Sequence, residues 1–265
     1  MVAVRNWRSI VPNIAHQTAI VWPYFHMVDL KDDAPADQSV LQGFQALTLH
    51  QIQPGKSGDN HVHFDREQVY YFTHGRGKLN IDEVIYDVRK GDAVCIPTTC
   101  YHQMINDTDE WLEHLIINGL PQPVEQQEKD KETIAANGAH GSKLPIAHRN
   151  WLDSQPHISH GAALLWSIFG PRGQEGKTYN EAPVEGFKKV TIHRLQPGLE
   201  TKPHSHASME QIYYFTEGRA KMVVGDETVD VRDGDAVYGP PNVTHGLIND
   251  SDDWVEHLII SADVP

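Results

Sequence analysis

Apolar and polar positions in this chain alternate in short runs broken by turn pairs, and strand signals dominate each half. Phe44 to Gln53 (FQALTLHQIQ) is mostly apolar and ends at Pro54-Gly55, a turn pair. Val69 to Thr73 is aromatic and β-branched, which suits a pleated surface, and ends near Gly75. Lys78 to Ile81 and Val84 to Val88 flank Asp82-Glu83 as a hairpin; Ala93 to Ile96, His102 to Asn106 and Trp111 to Ile117 complete the set. Short strands separated by closely spaced turns predict an all-β sandwich or barrel.

The same order then returns. His61, His102, Asn106 and His114 recur 143 positions later as His204, His245, Asn249 and His257. The segments before each set repeat one residue out of step: Arg5-Asn6-Trp7 matches Arg149-Asn150-Trp151, and His16 and Trp22 match His160 and Trp166. Two copies of one fold are therefore expected: residues 1–120 with an arm over 1–43, a linker over 121–147, and residues 148–265 with an arm over 148–186. The linker is polar, with a short helix expected from Val124 to Ala136. The arms carry tryptophans (Trp7, Trp22, Trp151, Trp166) and are too apolar for free tails. They are expected to pack across the other barrel or a partner subunit, which leaves room for a homodimer.

A net charge of −14 disfavours nucleic-acid backbones and anionic membranes as partners and leaves a small molecule as the expected ligand. No apolar stretch approaches the ~20 residues that span a bilayer. The N-terminus lacks a basic start and a long apolar run, and Cys95 and Cys100 read as reduced thiols, so the expected location is cytoplasmic. Histidine is the informative excess, at 17 residues. His61 and His63, like His204 and His206, alternate along what reads as a strand; residues two apart share a face, so both imidazoles can converge on one metal ion.

These residues resemble the cupin superfamily in its two-domain, bicupin form. Its first motif is met by Gly55, His61, His63 and Gly75, and again by Gly198, His204, His206 and Gly218. Its second is met by Gly91, Pro97, His102 and Asn106, and by Gly234, Pro240, His245 and Asn249, with Thr99 and Asn242 replacing the glycine after the proline. Where the family usually has its metal-binding glutamate, the chain has Gln68 and Gln211, with Glu67 and Glu210 next door. Neighbours on a strand face opposite sides, so Gln68 is expected to face inward and the two glutamates to be solvated or ion-paired.

The resemblance implies two tandem cupin barrels of the double-stranded β-helix, or jelly-roll, type. Each is expected to bind one divalent transition metal: Fe, Mn, Ni, Cu, Co or Zn. The implied ligands are His61, His63, His102 and Gln68 in the first half and His204, His206, His245 and Gln211 in the second. Tyr70, Phe72 and Met104, with Tyr213, Phe215 and Leu247, are the expected pocket walls. Three histidines and a glutamine neutralise no metal charge, so the site favours an anionic ligand. His50, His114, His193 and His257 are expected to be satisfied core groups, with proton transfer as the sharper alternative, and His16 and His160 are expected at the surface. Similarity to quercetinase-like bicupins implies a metal-dependent dioxygenase acting on a small enolisable or phenolic substrate. A non-oxidative isomerase, cyclase or lyase, or a non-catalytic ligand-binding bicupin, is the alternative.

Overall fold

The computed structural model describes residues 2–28, 35–120, 123–137 and 144–265. Two β-barrels follow one another along the chain. In the first, an eight-stranded sheet runs Ala147–Asn150, Asp92–Ile96, Gln68–His74, Leu112–Gly119, Phe44–Ile52, Ala19–Met27 and Asn13–Ala15, with Ser39–Leu41 paired beside Ala19–Met27. It is completed by a four-stranded sheet of Lys56–Ser57, His102–Asn106, Arg76–Ile81 and Val84–Arg89. The second barrel repeats this with a seven-stranded sheet, whose centre is Met209–Glu217 and Val255–Asp263, and a three-stranded sheet that holds His245–Ile248. The fold is the expected all-β pair of jelly-roll barrels. The helix spans Val124–Asn137, one residue longer than anticipated, and the rest of the expected linker lies largely outside the described residues.

The continuous apolar runs are explained by burial on both strand faces. In Gln68–His74, Tyr70 and Phe72 point into the first barrel's own core, while Val69 and Tyr71 join a larger core between the barrels. The second half matches: Tyr213 and Phe215 face inward, and Ile212 and Tyr214 face the shared core. Alternation with period two thus sorts each strand between two apolar compartments rather than between core and water.

The arms cross over. Val4–Asn6 adds an antiparallel strand to Asp235–Gly239 of the second barrel, and Ala147–Asn150 adds one to Asp92–Ile96 of the first. The later part of each arm stays with its own barrel. The crossing is locked by close approach. Gly91 and Gly234 have φ of +88° and +81°, and a Cβ at either would fall 2.9 Å from Trp151 or 2.7 Å from Trp7. The Tyr24 hydroxyl donates to the Gly234 carbonyl at 2.6 Å, tying the first arm to the second barrel.

Glu67 and Glu210 are not solvated. Their strand parity turns them away from the barrel interior and toward the other half, where they are 7% and 0% exposed. Glu67 accepts the backbone N–H groups of Glu185 (2.8 Å) and Gly186 (2.5 Å). Glu210 accepts those of Gln42 and Gly43 and the Tyr238 hydroxyl. Burial raises both carboxyls, Glu67 to about 7, against the lowering effect of these bonds.

Candidate metal centres

The expected strand from His61 to His63 is only a single bridge. His61 exchanges both backbone bonds with His102 (3.1 and 2.8 Å), and the chain then leaves the ladder so that the His63 carbonyl can accept the Thr99 amide at 2.8 Å. His204 repeats the bridge with His245, and the His206 carbonyl accepts the Asn242 amide at 2.7 Å. The turn that clamps each second histidine is strained. Thr99 and Asn242, which stand in for the motif glycine, keep the positive φ of 71° and 61° that glycine would adopt.

This backbone brings His61, His63 and His102 together, and likewise His204, His206 and His245, with one potential ligating atom from each within 4.8 Å of the others. Four of the six rings are oriented by one rule. The Nδ1–H of His61, His102, His204 and His245 donates to the carbonyl two residues earlier, on Asp59, Cys100, Lys202 and Val243, at 3.0–3.2 Å. A carbonyl can only accept, so the proton sits on Nδ1 and the Nε2 lone pair is left free. Nε2 of His61, His102, His206 and His245 is buried without a hydrogen-bond partner. Burial also lowers His102 to about 3 and His63 and His245 to about 4, which keeps these three rings neutral. Neutral, oriented imidazoles with unsatisfied buried nitrogens fit a divalent transition metal, because such orphaned atoms are otherwise costly. The described residues therefore carry two candidate centres, one per domain.

Gln68 and Gln211 have the parity of Tyr70 and Tyr213 and so face the barrel interiors. The Gln68 amide nitrogen donates to Asn118 at 2.8 Å, leaving its buried carbonyl oxygen without a partner. The Gln211 nitrogen donates to Ser261 at 3.1 Å, and its oxygen accepts the Tyr213 hydroxyl.

Beside each triad lies a narrow cavity of about 20 Å³, room for about one water molecule. The first is walled by His16, His50, His61, His114, Tyr70 and Met104 among others; the second by His160, His193, His204, His257, Tyr213 and Leu247 among others. Phe72 and Phe215 do not reach the cavities. They pack instead on His114 and His257, at ring centroid distances of 5.4 and 5.3 Å.

His16 and His160 are partly exposed, but their rings are not free at the surface. Each stacks on a triad ring, His16 on His61 at 4.4 Å and His160 on His204 at 4.2 Å. Behind them stand His50 and His114 (5.4 Å apart) and His193 and His257 (5.4 Å). Burial lowers His114 and His257 to about 3. Nδ1 of each is buried with no hydrogen-bond partner, so neither is a satisfied core group. Cys95 and Cys100 are buried and form no disulfide, and Cys100 serves the first centre through its carbonyl. Sequence reasoning missed the stacking of His16 and His160, and it missed Asp59 altogether. The available signals were the duplication of both histidines and a carboxylate two residues before His61.

Tandem jelly-roll barrels, each closed on a histidine triad, define a duplicated metal-binding fold. The chain belongs to the cupin family: residues 48–118 and 191–261 each match the cupin domain. It is 36% identical over 96 residues to an uncharacterised protein of Methanocaldococcus jannaschii, spanning 36% of this chain and 69% of that one. It is 34% identical over 73 residues to the H2HPP isomerase of Bacillus subtilis, spanning 27% of this chain and 30% of the isomerase. Among solved structures it resembles the oxalate decarboxylase of Bacillus subtilis, a protein with Mn(II) centres, with a TM-score of 0.70 at 17% identity over 99% of this chain and 78% of that chain. At that identity the likeness is one of fold. No described helix is long and apolar enough to cross a membrane.

Proposed function

We propose that the protein is a metal-dependent bicupin enzyme that moves a proton on a small, enolisable anionic substrate, an isomerase- or lyase-type reaction that does not consume oxygen. The observation that carries this reading is the pair His114 and His257. Each lines its cavity with a buried Nδ1 that has no partner, in the same cavity wall set as a triad histidine. A divalent metal held by the triads would supply a Lewis acid that polarises a substrate carbonyl. The protein supplies the rest. As ligands, three imidazoles would be neutral and so would leave a bound metal's charge uncompensated and receptive to a carboxylate or enolate. Burial keeps His114 and His257 neutral but also makes them weak bases, so each would take a proton only from a carbon acid that a metal has made more acidic. His50, hydrogen-bonded to Thr48 at 3.0 Å, fixes the ring beside His114. The narrow cavities beside the triads restrict access to a small molecule that displaces water there.

Two likenesses support a non-oxidative reaction: the partial match to an isomerase and the fold shared with a decarboxylase. The competing reading is a dioxygenase. It is favoured by the all-neutral donor set, which leaves positions open to a chelating enolate.

Proton NMR in D2O under argon separates them. Protein loaded with Mn, Fe, Co, Ni or Zn is incubated with a panel of 2-oxo acids. Exchange of the hydrogens next to the carbonyl, lost in His114→Gln or His257→Gln at unchanged metal content, is the expected result. Oxygen uptake with no anaerobic exchange assigns the dioxygenase instead, and neither activity with any metal leaves a binding protein.

A further inference from the structure

The two triads are alike, but their surroundings are not, and we propose that the centres are inequivalent: Asp59 and Gln68 make the first centre the tighter metal site. This rests on the metal reading of the triads and not on the reaction assigned to them.

Asp59 is the first difference. Its carbonyl accepts His61 Nδ1–H at 3.2 Å, and its carboxylate oxygen lies 3.7 Å from the same nitrogen and 3.0 Å from His16 Nδ1. A carboxylate behind a ligating imidazole stabilises the positive charge that a metal induces on the ring and strengthens the ring as a donor. The second half has Lys202 at the matching position. Its carbonyl keeps the bond to His204 at 3.1 Å, but its side chain is a cation, which opposes a bound metal. Accordingly, His16, Asp59 and His61 form a third cluster of potential ligating atoms, with no counterpart in the second half among the described residues.

The glutamines are the second difference, and they are independent of the first. Asn118 holds the Gln68 nitrogen and leaves the carbonyl oxygen buried, unpartnered and on the interior face. The Gln211 oxygen already accepts the Tyr213 hydroxyl, which engages one of its two lone pairs and orients it toward Tyr213. The first centre therefore has beside it a glutamine carbonyl with both lone pairs free, and the second has one that is half engaged.

Single-centre variants test this directly. His245→Ala leaves the first centre and His102→Ala leaves the second; each apoprotein is titrated with Co(II), following visible absorption in competition with a chelator. The expected result is at least ~10-fold tighter binding by the first centre, the range typical of outer partners of metal ligands. Asp59→Asn should weaken the first centre several-fold and remove its share of that difference. Lys202→Asp, at an exposed position, should tighten the second centre several-fold, a gain that misfolding cannot produce. Equal affinities in the single-centre variants, or no response to both Asp59→Asn and Lys202→Asp, overturn the inequivalence. Failure of both centres to take up Co(II) overturns the metal reading itself, which is a separate result.

Discussion

The Thr99 amide donates to the His63 carbonyl at 2.8 Å while Thr99 itself sits at a φ of 71°, a left-handed conformation that β-branched residues avoid. The bond positions a triad histidine, and the surrounding structure holds Thr99 in the strained conformation that makes it. Asn242 makes the same bond to His206 with a side chain that tolerates this backbone. Thr99→Asn is therefore expected to stabilise the protein by about 0.5–1 kcal/mol, without the added chain entropy of glycine. Urea unfolding of the metal-free protein measures it, and an unchanged or lower midpoint counts against strain at Thr99.

The carboxylates beside the two glutamines hold the halves together. Glu210 is fully buried and accepts two backbone N–H groups and a tyrosine hydroxyl from outside its own strand. Glu210→Ala should strand those donors and cost roughly 2–4 kcal/mol, with Glu67→Ala comparable. A solvated glutamate would cost under about 0.5 kcal/mol. Chemical denaturation of the two variants decides between these figures.

Buried histidines should make the metal-free protein sensitive to acid. Burial holds His114 and His257 down to about 3, against about 6.5 in an unfolded chain. Between those values the unfolded state binds the proton and the folded state does not, so stability rises with pH across this window. The contribution is complete above about 6.5 and is lost as the pH falls toward 3. Each such group adds a slope of up to about 1.4 kcal/mol per pH unit. His114→Phe should flatten the dependence of unfolding free energy on pH by one group's share, and an unchanged slope would mean that His114 is solvated or charged when folded.

Much of the architecture is legible in the chain because it depends on short-range rules. Turn pairs at Pro54-Gly55 and Asp82-Glu83, aromatic runs at Val69 to Thr73, and the repeat of His61 and His102 as His204 and His245 identify the strands, the duplication and the triads. Local rules fail where the partner comes from far along the chain. Glu67 was expected to be solvated or ion-paired; it is buried with Arg172 3.9 Å away, and its hydrogen-bond donors are backbone groups of Glu185 and Gly186. His16 was expected at the surface, and it is partly exposed, but its ring also stacks on His61, a residue far along the chain.

By itself, the amino-acid sequence determined that this protein is two cupin barrels in tandem and which histidines meet in each, since periodicity and motif spacing are properties of neighbouring residues. Only the tertiary structure decided how the barrels grip one another and how the two centres differ. Asp59 against Lys202 is visible as a substitution, but its meaning depends on a 3.7 Å approach to His61. Gln68 and Gln211 are the same residue in the same motif. Whether each carbonyl is free is set by Asn118, Ser261 and the Tyr213 hydroxyl, through hydrogen bonds that exist only once the strands have paired.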